Sequence, residues 1–123
     1  MRIKVGRLTK RPDFLRVAGG RRNWAAPGLV LQARPSEVTH EAPICRVGFT
    51  ATRKVGSSVV RNRARRRLRA AVTQVMPTHA MPGIDYVLIA RAETNRRPFA
   101  ALVNDLIEGL RRLGMHRAGE DGP

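Results

Sequence analysis

The stretch RVGFTATRKVGSSVVRNRARRRLR, Arg46 to Arg69, changes its period half-way along, and that change decides the fold. From Ile44 to Thr52, apolar Val47, Phe49 and Ala51 alternate with Arg46, Gly48, Thr50 and Thr52, the period of a strand with one apolar face. Gly56-Ser57-Ser58 then turns the chain, with Ser57 or Ser58 placed to cap a helix. Beyond the turn, Val60, Ala64, Leu68, Ala71, Val72 and Val75 fall within an arc of roughly 120° on a helical wheel, with Asn62, Arg66 and Arg69 opposite. Pro77 is expected to end this helix, and His79 to Gly83 to form a loop.

Working outward, Thr9 to Ala18 reads as a short helix that starts at Thr9 or Lys10, carries Pro12 in its first turn and presents Phe14, Leu15 and Val17 as apolar positions. Gly19 and Gly20 stop it. Leu29 to Ala33 has the composition of a strand, and Pro35 to Pro43 that of a polar loop. Tyr86 to Arg91 is a nearly all-apolar strand, expected inside the sheet. After Pro98, the residues Phe99, Leu102, Val103, Leu106, Ile107, Leu110 and Leu113 repeat at helical spacing, and Gly114 closes that helix. The order implies a single α+β domain over residues 1–114 with helices covering one sheet, and residues 115–123 are expected to be a disordered tail. No linker long enough to divide 123 residues into two domains is present.

Charge narrows the function. Twenty-four Lys and Arg oppose nine Asp and Glu, for a net charge of +15, which calls for a polyanionic partner. From Ala42 through Ile84 there is no carboxylate, while Arg53, Lys54, Arg61, Arg63, Arg65, Arg66, Arg67 and Arg69 crowd into the turn and the helix after it. A solvated helix face would intersperse Glu at i and i+4. A membrane-surface helix would carry bulkier apolar residues than Ala64, Ala71 and three Val, and no apolar run is long enough to span a bilayer. Nucleic acid is the remaining partner, and Asn62 adds a group that donates and accepts. Cys45 stands alone, which excludes an internal disulfide and fits a reducing, cytoplasmic setting. The N-terminus lacks the apolar region of a secretory signal, and a transit peptide is disfavoured because the segment runs straight into the first helix.

The same stretch closely resembles the signature segment of bacterial ribonuclease P proteins. Paired basic residues end a strand, V-G and a small-residue turn follow, then R-N-R and further cations at helical spacing: Arg53, Lys54, Val55, Gly56, Val59, Arg61, Asn62, Arg63, Arg65, Arg66 and Arg69. RLTKRPDFLRV, GLVLQAR, DYVLIAR and the PFAAL helix extend the resemblance over Arg7 to Leu113. It implies an αβββαβα sandwich around a central mixed sheet, of a kind shared with a ribosomal protein domain, with the basic helix in a left-handed crossover. It also implies an RNA-binding protein subunit that helps a catalytic RNA remove the 5′ leader of precursor tRNA. By position, Arg53, Lys54, Arg61, Asn62, Arg63, Arg65, Arg66 and Arg69 are the implied RNA contacts. Phe14, Val30, Gln32 and Thr50 are the implied lining of a cleft for the single-stranded leader. Ala18 and Gln32 stand where aromatic residues often line that cleft, leaving Phe14 as its main aromatic, and Ala70 replaces a common Glu. Packing in the core is the competing role for Phe14, and both base stacking and half-buried packing are open to Trp24.

Chemistry by the chain itself has little support in the sequence. Metal-assisted hydrolysis needs clustered carboxylates, which the basic segment lacks. His40, His79 and His116 show no sign of converging, and Cys45, with no base near it in sequence, reads as a small core or edge residue. The expectation is therefore no catalytic residue, no protein-held metal or cofactor, Mg²⁺ on the RNA subunit, catalytic RNA and precursor tRNA as partners, and neither a membrane nor an obligate protein partner. Two readings compete: a ribosomal protein, which would co-purify with ribosomal subunits, and an autonomous ribonuclease, which would cleave RNA unaided.

Overall fold

The computed structural model describes residues 2–117. Strand β1 (Lys4–Arg7) is followed by α1 (Arg11–Gly19), β2 (Asn23–Ala25), β3 (Leu29–Pro35), β4 (Ile44–Thr50), α2 (Ser58–His79), β5 (Ile84–Ala90), a 3-10 turn (Ala92–Asn95) and α3 (Phe99–Arg112). The strands form one mixed sheet in the order β1-β4-β5-β3-β2. Parallel pairing joins β1 to β4 and β4 to β5, while β3 runs antiparallel to both β5 and β2. The expected α+β sandwich is therefore present, with β1 added at one edge. That strand, KVGR, is four residues with no alternation of its own; it exists because the exposed edge of β4 accepts it in the register Lys4 opposite Ile44.

Two unequal layers cover the sheet. On one face, Leu29, Leu31, Ala33, Val47, Tyr86 and Leu88 meet α2 and α3 through Ala64, Leu68, Val75, Met76, Leu102 and Leu106, all buried. Each fully buried Leu or Val of this layer stabilises by ~1.5–3 kcal/mol. On the other face only α1 covers the strands, with Val17 sealed against Leu8 and Val87, and Phe14 and Ile89 half-buried beside them. Covered on both sides, β5 is buried at every residue except Ile89, in keeping with its apolar sequence.

Ser57 caps α2, its Oγ accepting from the Val60 N–H at 3.4 Å. The helix runs beyond Pro77 to His79, contrary to the expected stop. Pro77 has the φ a helix needs, and it withholds an N–H only in the last turn, where the carbonyl it leaves belongs to exposed Thr73. Its own carbonyl accepts from the Ile3 N–H at 2.8 Å and from Arg117 at 3.0 Å. Trp24 lies in β2 and is half-buried against α3, with the Arg112 guanidinium 4.9 Å from its ring centre. Leu15, taken as an apolar helix position, points outward and is exposed.

The end of α3 corrects the expected tail. Gly114 takes φ +69, its N–H bonds to the Arg111 carbonyl, and the Met115 N–H reaches back to Leu110 at 2.8 Å. This pair of bonds forms a Schellman turn, which satisfies the last carbonyls and drops Met115 into the core beside Leu110. Residues 115–117 are thus docked: the Tyr86 hydroxyl donates to the Met115 carbonyl, and Arg117 donates to the carbonyls of Ala80 and Pro77. The remaining residues of the expected tail, 118–123, lie outside the described residues.

Candidate RNA interface

Capping and burial orient α2 so that its apolar arc, apart from the exposed Val60, faces the sheet and most of its cations face outward. Asn62, Arg63, Arg66 and Arg69 are exposed, and Arg61 and Arg65 half-buried. With Val59, five of these residues line one shallow depression: Asn62, Arg63, Arg65, Arg66 and Arg69. Arg53 and Lys54 are exposed in the turn between β4 and α2, held by the Val55 N–H on the Thr52 carbonyl at 3.0 Å. Of the eight expected RNA-contact residues, five therefore share one depression, and Arg53 and Lys54 lie in the turn that leads into α2. Arg65 donates to Asn62 Oδ1 at 3.0 Å, which turns the Asn62 amide donors outward. Arg61 donates to Ser58 Oγ at 3.2 Å, while its enclosed Nε has no partner.

Arg67 belongs elsewhere. It donates to the carbonyls of Thr94 and Arg97, clamping α2 to the 3-10 turn and the loop after it. Sequence could have separated it, because on a wheel of about 100° per residue it sits at the flank of the apolar arc.

The carboxylates are spent on other arginines. Asp85, fully buried, accepts from Arg46 Nε at 2.9 Å and Nη2 at 2.7 Å and also from Arg16. This pairing holds the Arg46 guanidinium above its ordinary range. Asp105 takes Arg97 at 2.7 and 3.0 Å together with the Gly28 N–H at 3.0 Å. Glu93 meets Arg96, and Glu108 meets Arg111 and Arg112. Among the described residues, no ion pair involves a cation between positions 53 and 69. The positive charge of α2 is left for solvent or a partner.

The second candidate surface is the sheet face beneath α1. Register places Thr50, Ile89, Val30 and Ala25 in one row across four strands, and Gly48, Val87, Gln32 and Asn23 in the next. The Phe14 ring rests on Gly48 so closely that a Cβ there would lie 2.6 Å from its carbons. Phe14, Val30, Gln32 and Thr50 are all half-buried and share this face. Phe14 packs on Gly48 and remains half-buried. Ile89 completes the row of Thr50 and Val30. Sequence gives no sign of its face, because β5 is nearly all apolar and alternation cannot assign faces in such a strand. Ala18 is exposed on α1. The row ends at Thr50, two residues before the turn that carries Arg53 and Lys54.

His79 and His116 do converge, contrary to the sequence reading. Their rings stack with centres 5.2 Å apart, and Nδ1 of His79 lies 3.1 Å from Nε2 of His116. Burial, then His79 and Arg111, holds the His116 imidazole below its ordinary range. Cys45 is buried in the core, and that burial pushes its thiol up to about 12. His40 is exposed in the loop before β4. Among the described residues, no group of three or more His, Cys, Asp or Glu gathers as for a metal ion, and no helix is long and apolar enough to cross a membrane.

Comparison with known proteins gives a consistent set of relatives. The family model for ribonuclease P matches residues 4–114. A ribonuclease P protein component from Paramagnetospirillum magneticum is 58% identical over 115 residues, covering 93% of this chain and 86% of its own. One from Gluconacetobacter diazotrophicus is 49% identical over 118 residues, covering 96% and 99%. In fold, the chain is similar to the solved RNase P protein of Staphylococcus aureus, with a TM-score of 0.72 at 23% identity over 90% of this chain and 97% of that one. The Thermotoga maritima protein gives 0.69 at 24% identity, over 83% and 92%.

Proposed function

This chain belongs to the ribonuclease P protein family, and we propose from that premise how its surfaces serve the enzyme. It is the protein component of an endoribonuclease of tRNA 5′ processing in which catalysis is RNA-based. Its own part is electrostatic and positional. Arg53, Lys54, Arg61, Asn62, Arg63, Arg65, Arg66 and Arg69 contact the catalytic RNA, replacing condensed counterions along its phosphates. Phe14, Val30, Gln32 and Thr50, with Ile89 between them, cradle the unpaired leader of precursor tRNA; one aromatic edge and a lightly polar sheet face suit single-stranded bases. Mg²⁺ resides on the RNA, and the cations of α2 reduce the phosphate repulsion that opposes its binding. A cytoplasmic setting agrees with the unpaired, buried Cys45.

One observation carries this reading: the arginines outside α2 take up the carboxylates, while the exposed face of α2 is left uncompensated. Reconstitution with a candidate catalytic RNA tests it. At low Mg²⁺ the protein is expected to accelerate leader removal and to favour precursor over mature tRNA. Cleavage by RNA-free protein, or rates unchanged by its addition, would overturn the assignment.

A further inference from the structure

On the sheet face opposite Phe14, a pocket of about 140 Å³ opens between β1 and α2. Its walls are Val5, Val47, Val72 and the half-buried Phe49, and Arg7 and Arg69 stand at its rim. The space exists because three short β-branched side chains meet where a four-residue edge strand passes under the helix. Arg69 leans over the Phe49 ring, its guanidinium carbon 5.6 Å from the ring centre. The same Arg69 lines the cationic depression on the outer face of α2, so the two concavities share a wall.

Size and chemistry select the occupant. An apolar cavity of ~150 Å³ holds one benzene-sized ring, and pockets for drug-sized molecules are roughly 300–1,000 Å³. One flat heterocycle therefore fits here, and a larger cofactor does not. The lining is apolar and its charged residues are both arginines, so the ring should carry negative charge at its outer end. A guanidinium stacked beside a phenyl face offers a base both aromatic and cation–π contact. Ring and phosphate together describe a nucleotide.

We propose that this pocket receives a single unpaired base of the catalytic RNA, its flanking phosphates held by Arg7 and Arg69. The proposal rests on the reading of α2 as the RNA-contact face, because a backbone following the depression reaches the pocket at Arg69. The base is an unpaired one, since drawing it out of a duplex would forfeit its stacking and pairing. The protein then holds the catalytic RNA by charge along α2 and by one inserted ring at its flank.

Filling the pocket without altering charge tests this. Val5→Phe occupies it from the strand, and Thr73→Leu occupies its mouth from an exposed helix position that tolerates leucine. Both are assayed with full-length catalytic RNA, for affinity across a salt series and for base reactivity toward dimethyl sulfate and carbodiimide in the reconstituted holoenzyme. Affinity is expected to fall roughly tenfold with the salt slope unchanged, and one unpaired base protected by the wild-type protein should become reactive. Wild-type affinity and unchanged base protection in both variants would overturn the pocket. If Arg61→Ala still flattens the salt slope in that case, the reading of α2 survives. Should Arg61→Ala and Arg66→Ala leave the slope untouched, the reading of α2 fails instead, and base protection alone then decides for or against the pocket.

Discussion

Arg66 and Arg67 are neighbours in sequence, yet one faces solvent and the other grips two carbonyls across the α2 contact with the 3-10 turn. Substituting each by alanine should separate their roles. Arg66→Ala is expected to flatten the log–log salt dependence of RNA binding by about one unit while leaving the melting temperature unchanged. Arg67→Ala should leave the slope alone and cost about 1.5–3 kcal/mol of stability, the worth of hydrogen bonds to a charged donor, measured by urea unfolding. Asp85 has a comparable internal function. It anchors Arg46 of β4 and Arg16 of α1 in a buried cluster, and Asp85→Ala would strand two guanidinium groups, costing about 3–5 kcal/mol. A variant as stable as wild type would show that those arginines reach solvent unaided. The sequence displayed Asp85 as one acid in an apolar strand and could not display its partners, which lie 39 and 69 residues away.

At the scale of elements, legibility followed periodicity. The strand and helix of residues 44–79 and the helix after Pro98 declared themselves because each repeats its apolar residues often enough to define a face. Strands β1 and β2, of four and three residues, did not, because an edge strand is specified largely by the neighbour that accepts it. Faces follow the same rule: the resemblance names Val30, Gln32 and Thr50, which lie on alternating strands β3 and β4, while the all-apolar β5 conceals that Ile89 shares their face. Helix α1 is seated on that sheet face through the contact of Phe14 with Gly48. Phe14→Ala should therefore weaken precursor tRNA binding roughly tenfold more than mature tRNA binding; equal weakening would remove Phe14 from the leader path. The docked segment after α3 predicts a pH dependence. Burial, then His79 and Arg111, holds the folded pKa of His116 below the ordinary 6.5, so the folded state holds fewer protons than the unfolded one. Its contribution to stability is complete above about pH 6.5 and is lost as pH falls toward the folded value. Melting temperature should drop on acidification from pH 7.5 to 5 by more in the wild type than in His116→Gln.

Across the whole molecule the net charge is +15, and among the described residues every ion pair falls outside positions 53–69, where eight of the 24 Lys and Arg lie. The charge of the carboxylate-free segment from Ala42 to Ile84 was readable from sequence, and folding brings acids to Arg46 alone within it: no ion pair reaches positions 53–69 among the described residues. If the protein serves mainly to lower phosphate repulsion, raising Mg²⁺ should narrow the gap in cleavage rate between wild-type and Arg61→Ala holoenzymes. A gap that persists at high Mg²⁺ would mean that Arg61 acts on geometry rather than on counterions. The last turn of α2 adds a topological consequence. The Pro77 carbonyl accepts at once from Ile3 and Arg117, so the first strand and the segment after α3 are fastened to a single point. A short glycine-rich bridge there, with the polypeptide reopened among the exposed residues 37–43, would give a circular permutant whose arginine ridge is undisturbed.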